Sequence, residues 1–280
     1  MLCLMTDSAL LDRLDSYYDA VPRGHARAEE VGPFTLFVAT SGWPYYARPR
    51  RDARDEAGPA TSDDVRQVLD RQRELGVPQA LEWVGERAPA LAETVEAAGV
   101  SVARCPLLVL RGAPRGAPGT ARMVGADELD TLVASRAAIS VGFSAGGTAV
   151  GPEGIGARDA AAQSAYARVD DALVSRISAG EVRVAVAFSP EEPDVGPVGG
   201  GSYLPVGEVA EVAGVAVLPA YRRRGLAARL THVLATDALS RGVTMIFCSA
   251  QSDDVARVYE GIGFVRVGTA CIAEDASAHG

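Results

Sequence analysis

The chain has 280 residues, more than the roughly 100 to 200 of an ordinary domain, so two domains are expected. It is 48% apolar and 22% charged, with no apolar run near the 18 or so residues that a membrane span needs, which reads as a water-soluble globular protein with no membrane partner. Its net charge of -9 argues against a nucleic-acid surface, which needs clustered Lys and Arg, and leaves room for a cationic partner.

The amino terminus, MLCLMTDSALLDRLD, has no basic region ahead of a short apolar start and turns acidic at once. It does not read as a signal peptide, and a cytoplasmic protein is expected. A helix is predicted over 8–20, a strand over 34–39, and a helix from a cap at Ser62 to about Leu75, stopped by Gly76. A strand at 80–84, a helix at 89–98 with Gly99 as its stop, and a strand at 102–110 follow. Gly and Pro then crowd into RGAPRGAPGT, residues 111–120. Residues 1–112 are read as one domain, 113–120 as a linker and 121–280 as a second domain.

Beyond the linker the pattern predicts a strand at 121–124, helices near 127–140 and 157–178, and a strand at 182–188. Glycines 199–201 read as opening a hairpin-like segment into a strand over 208–218, followed by a helix over 225–241 that Gly242 ends. A strand at 243–249, a helix at 253–261 and a strand at 264–272 close the chain. Both halves are mixed α/β. The four cysteines, Cys3, Cys105, Cys248 and Cys271, form no C-x-x-C pair, so neither a metal site nor a disulfide framework is indicated and most read as buried thiols. Of three histidines, His279 stands in a small-residue tail read as frayed.

The densest chemistry is in GVAVLPAYRRRGLAARL, residues 214–230, where an alternating strand runs through an Arg- and Gly-rich turn into a helix. The first amides of a helix lack internal partners and sit at its positive end, so this turn suits an anion such as a pyrophosphate. Gly225 lets the backbone approach, and Arg222, Arg223 and Arg224 add charge. The bland reading of the same arginines is a solvated basic turn.

The run Val215, Val217, Pro219, Arg222, Gly225, Ala227 resembles the acyl-CoA signature Q/R-x-x-G-x-G/A of the GNAT superfamily of N-acetyltransferases. Some thirty residues on, VYEGIGF, from Val258 to Phe264, looks like that family's second motif, and the resemblance covers most of 120–272. It implies a GNAT fold, α/β of the α+β-like kind, with a central, mostly antiparallel, splayed sheet flanked by helices. It also implies acetyl transfer from acetyl-CoA to a primary amine, of a small molecule or a protein, by direct attack in a ternary complex without a metal. Amides from Arg222 through Leu226 to Ala227 would hold the pyrophosphate, and pantetheine would pair with backbone near Val215 and Val217. Tyr259 falls where relatives place the acid that protonates the departing thiolate; the alternative is an amphipathic core residue. Glu211 stands where many relatives carry an acidic residue and is the first candidate base; Glu208 is the second, on the opposite face of a regular strand. Relatives often have Asn where this chain has Ser252, which can still bond the pantetheine, while Asp253 and Asp254 beside it suit a helix cap.

The first half echoes the strand and helix order, but its equivalent turn, within 47–64, mixes basic and acidic residues and has no R-x-x-G-x-A. It is read as a degenerate GNAT-like domain, so that the whole is a tandem; the alternative is an unrelated α/β cap. Gly142-Phe143-Ser144-Ala145-Gly146 fits the G-x-S-x-G of hydrolase nucleophile elbows, yet a glycine-rich loop follows where an elbow needs a helix. That loop is expected to join two helices and move as a lid. A non-catalytic acyl-CoA-binding module is the second functional reading, and the low aromatic content of 6% marks no interface, leaving a homodimer open.

Overall fold

The computed structural model describes residues 7–39, 45–52, 59–164 and 167–274; Cys3, His279 with its tail, and the middle of the 47–64 segment lie outside the described residues. Two compact units are present: one runs to Leu107 and resumes at Val267, and the other is Leu108–Arg266.

In the first unit, helix α1 (Asp7–Arg23) buries Leu10, Leu14, Tyr17 and Tyr18, an i, i+4, i+7 stripe. Strands β1 (Ala26–Val31), β2 (Phe34–Ala39) and the short β3 (Arg48–Pro49) form an antiparallel sheet. The sequence pattern did not suggest β1, because half of ARAEEV is charged and only Val31 is buried. Helix α2 (Ser62–Glu74) is capped by Thr61, not Ser62: Thr61 and Asp64 make a reciprocal capping box, and Ser62 instead donates its hydroxyl to the Thr94 carbonyl. Strand β4 (Ala80–Val84), all five residues buried, precedes α3 (Leu91–Ala97) and β5 (Val102–Leu110). The end of the chain returns to this unit, with residues 270–274 antiparallel to β4.

The second unit starts with β6 (Ala121–Val124), α4 (Leu129–Ser144) and α5 (Ile155–Ala161), followed by α6 (Asp171–Ala179). The single helix expected over 157–178 is thus two helices, because Asp170 caps a fresh start by accepting from the Leu173 amide. Then come β7 (Arg183–Phe188), β8 (Pro197–Val206), β9 (Val209–Val217), α7 (Leu226–Ser240), β10 (Met245–Ser249), α8 (Asp253–Ile262) and β11 (Phe264–Glu274). Strands β6, β7, β8 and β9 are antiparallel neighbours in that order, and β10 joins β9 in parallel. Beyond β10 come β5 and β11, of which residues 108–110 and 264–266 belong to this unit.

Glycines 199–201 sit inside β8 and do not open a hairpin. A Cβ on Gly200 would overlap Ser135 Oγ of α4, whereas one on Gly201 would lie 3.3 Å from Leu234 Cδ1 of α7. Alternate strand residues face opposite sides, so α4 and α7 cover opposite faces of this sheet. Leu226, Leu230, Leu234, Ala235 and Ala238 of α7 pack with Tyr203, Val212 and Val217 in the largest apolar cluster of the unit. The expected mixed α/β fold with a mostly antiparallel sheet is what the structure has.

Candidate active site

Two departures from regular strand geometry shape the middle of the second unit. Strand β10 pairs with β9 only at Val209, Ala210 and Glu211, so the rest of β9 has no ladder on that side. Opposite β8, Ser202 faces Ala213 and Gly200 faces Ala216, which sets Gly214 and Val215 against the single residue Gly201. This is a β-bulge, and Gly214 supplies the positive φ of 65° that it requires. The bulge bends β9 away from β10 at Val215, where a slot was expected along Val215 and Val217.

Past Val217 the chain makes a 3-10 turn at Pro219–Tyr221 and enters α7. Arg223, at φ 64°, is left-handed, as is Gly225, at φ 76° and the N-cap of α7. No side chain caps this helix, and among the described residues no group accepts from the amides of residues 223–228. Six consecutive donors at the positive end of a 15-residue helix can bind a multiply charged anion.

The arginines divide by what they already hold. Arg222 donates from Nε to the Val217 carbonyl at 3.3 Å, from Nη1 to Gly146 at 2.7 Å and Ala149 at 3.1 Å, and from Nη2 to Gly142 at 2.5 Å. Partial burial holds this guanidinium's pKa below its ordinary value. Arg222 is therefore a strut that ties the end of α4 and its following loop to the turn. The Gly151 amide bonds the Pro219 carbonyl and the Ala220 amide bonds the Glu153 carbonyl, which pins the loop expected to serve as a lid. Arg224 pairs with Glu191 at 3.2 Å and lies over the Tyr221 ring, whose hydroxyl donates to Glu192. Arg223 is exposed, with no hydrogen bond or ion pair to any described residue.

Tyr259 lies on the buried face of α8, its ring edge-on to Phe264 at 5.7 Å. Its hydroxyl bonds no described residue. Burial raises the phenol well above its ordinary pKa, and the Cys248 thiol and Glu211 carboxylate raise it further. Burial and Glu211 likewise push up the Cys248 thiol. Tyr259, Glu211 and Cys248 thus lie within one another's electrostatic reach. Glu211 is half-buried on β9, opposite Phe247 of β10, at the last rung before the two strands part.

The remaining candidates lie elsewhere. Glu208 is in the two-residue turn between β8 and β9, not on a strand face; the strand begins at Val209. It is exposed, accepts from Thr244 Oγ1 at 3.2 Å, and lies roughly 30 Å along β9 from Val217 at about 3.3 Å per residue. Ser252, and not the aspartate pair, caps α8 by accepting from the Val255 amide, which leaves its hydroxyl proton free to donate. Asp253 pairs with Arg266 and Asp254 with Arg257. Ser144 is the last residue of α4 and back-bonds to the Ser140 carbonyl, so no nucleophile elbow exists there. Among the described residues no three His, Cys, Asp or Glu side chains are placed to hold a metal ion, and no helix is long and apolar enough to cross a membrane.

Cys248 is the buried thiol that the sequence suggested, though no local signal ties it to this site; Arg229, at i+4 from Gly225, was not singled out. Arg229 is half-buried, and its guanidinium has no hydrogen bond or ion pair to any described residue.

Residues 161–264, which include the turn, Glu211 and Tyr259, match the profile of the Acetyltransferase (GNAT) family. A comparison with curated proteins gives no match. Among solved structures, a GCN5-related N-acetyltransferase from Kribbella flavida is similar at 20% identity over 95% of this chain and 96% of that one, with a TM-score of 0.64. A GCN5-related N-acetyltransferase from Sphaerobacter thermophilus aligns at 14% identity over 97% and 93%, with a TM-score of 0.57. A tandem GNAT protein from the clavulanic acid biosynthesis pathway aligns at 14% identity over 86% and 78%, with a TM-score of 0.51. The chain has the GNAT fold, and its residues 161–264 are similar to the Acetyltransferase (GNAT) family.

Proposed function

We propose that the second unit transfers an acetyl group from acetyl-CoA to a primary amine, of a small molecule or a protein. The run of unpartnered amides at 223–228 carries the reading, since a pyrophosphate supplies the acceptors that those donors lack. Arg223 is the flanking cation best able to turn toward it. The unladdered stretch of β9 at Val215 and Val217 suits the pantetheine amides, and a free β9 amide there polarises the thioester carbonyl. Ser252 has one donor left for the same arm.

In the reaction the amine nitrogen, freed of its extra proton by Glu211, attacks the thioester carbon. The C–N bond forms, the C–S bond breaks, the departing sulfur takes the phenolic proton of Tyr259, and the proton that the new amide nitrogen sheds passes to solvent, which reprotonates the phenolate. A phenol held above its ordinary pKa stays protonated at neutral pH, so the acid is loaded before each turnover. Glu208 is too far along β9 to share this site and is the lesser base candidate. The reaction needs no metal, nucleic acid or membrane, and the net charge of -9 favours a cationic acceptor.

The test is calorimetric titration of acetyl-CoA into the wild type and into Gly225→Glu, with circular dichroism to confirm that the variant folds. Gly225→Glu puts a side chain at a left-handed position and a negative charge at the mouth of the amide run. Binding by the wild type that falls at least about 100-fold in the folded variant is the expected result. A wild type that binds no acetyl-CoA overturns the reading.

A further inference from the structure

Four arginines gather at the first turn of α7, and two are spent within the protein: Arg222 on four backbone carbonyls, Arg224 on Glu191. Of the remaining two, Arg223 is exposed on the turn itself, while Arg229 is half-buried. A Cβ built on Gly119 would lie 2.7 Å from Arg229 Cδ, 2.8 Å from Nε and 2.9 Å from Cζ. The arginine therefore rests directly on the backbone of Gly119. Helical side chains lean toward the N-terminus, so a long residue at 229 lies over the turn at Gly225 and Leu226. The result is a half-buried guanidinium with no acceptor among the described residues, at the same end of α7 as a run of unpartnered amides.

An acyl-CoA carries two separate phosphate stations, the pyrophosphate and the 3′-phosphomonoester on its ribose. The amides at 223–228 are matched to the first. A planar fork with five donors suits the three oxygens of a phosphomonoester, which it can grip bidentately. Resting on the proposed acyl-CoA reading, we propose that Arg229, seated on Gly119, is the residue that recognises the 3′-phosphomonoester and makes the protein select acyl-CoA over its 3′-dephospho form.

The test titrates acetyl-CoA and acetyl-3′-dephospho-CoA into the wild type, Arg229→Gln and Arg229→Lys, with thermal midpoints to show that each is folded. The wild type is expected to prefer acetyl-CoA by about tenfold or more. Arg229→Gln should bind the dephospho form as the wild type does and lose the preference, and Arg229→Lys, with the charge but not the fork, should keep part of it. An Arg229→Gln variant that weakens both ligands equally assigns the residue to the pyrophosphate or the helix and overturns the proposal. So does a preference that survives the substitution, or a wild type that binds both ligands alike. A wild type that binds neither removes the acyl-CoA reading, and this proposal with it.

Discussion

Tyr259 is only 6% exposed, yet its hydroxyl has no partner among the described residues. Buried polar groups are normally bonded, so a phenol left open beside Glu211 is better suited to a proton that must move than to one that braces a core. Tyr259→Phe keeps the ring against Phe264 and removes only that proton. Turnover should fall by about 10²- to 10⁴-fold, as for loss of a general acid, with acetyl-CoA affinity unchanged because the amide run is untouched. Steady-state kinetics with calorimetry would show the split, and an undiminished kcat would remove Tyr259 as the acid. Positions such as Tyr259, Arg222, Gly225 and Ala227 were legible in the sequence because the motif's geometry depends on residue types at fixed local spacing. What Arg222 does was not, since three of its four carbonyl partners lie more than seventy positions earlier, and a carbonyl leaves no mark in a sequence. Glu208 lies in a turn and not on the strand face, a difference that a one-residue shift in an element boundary is enough to make, and the capping role of Ser252 comes from the start of α8 at Asp253.

Helix α4 reaches its place on the sheet because β8 presents glycine to it. Ser135 Oγ is fully buried there without a hydrogen-bond partner, and a Cβ on Gly200 would overlap it. Substitutions on the two sides of this contact should therefore act with opposite sign. Gly200→Ala overpacks the contact and should cost about 1 to 3 kcal/mol. Ser135→Ala deletes an unsatisfied hydroxyl and should be neutral or stabilising by up to about 1 kcal/mol. Urea unfolding of both variants measures this, and a neutral Gly200→Ala would mean that the helix has room to retreat. Glycines 199–201 also show where element reading fails: three in a row look like a turn, and only the helix lying across them explains a strand. Strands such as Phe34–Ala39, Ala80–Val84 and Val102–Leu110 were legible because apolar β-formers fill them up to a clear breaker or polar edge. Strand β1 hid behind its charges, and the gap between α5 and α6 turned on Asp170 alone.

The chain returns at its end to the unit it built first. Residues 270–274 of β11 pair with all five residues of β4, and Cys271 and Ala273 complete the apolar cluster around Leu81 and Trp83. A fragment ending at 112, where the composition suggests a domain boundary, would keep β4 and lose its antiparallel partner. The row of N–H and C=O groups thus uncovered would flank a strand with no exposed residue, an arrangement that invites pairing with another chain. Residues 1–112 alone should therefore aggregate or lack a cooperative transition. The same fragment with residues 264–274 attached through a flexible Gly/Ser linker should regain one, since loop closure costs little more as a linker lengthens. Size-exclusion chromatography and thermal melts of the two fragments separate the cases. If 1–112 is monomeric and melts cooperatively by itself, β11 is dispensable to the first unit. If only the linked form does so, the closing strand is an integral part of the first unit, and a chain truncated before residue 264 would lose both Phe264, against which Tyr259 packs, and the strand that completes the first core.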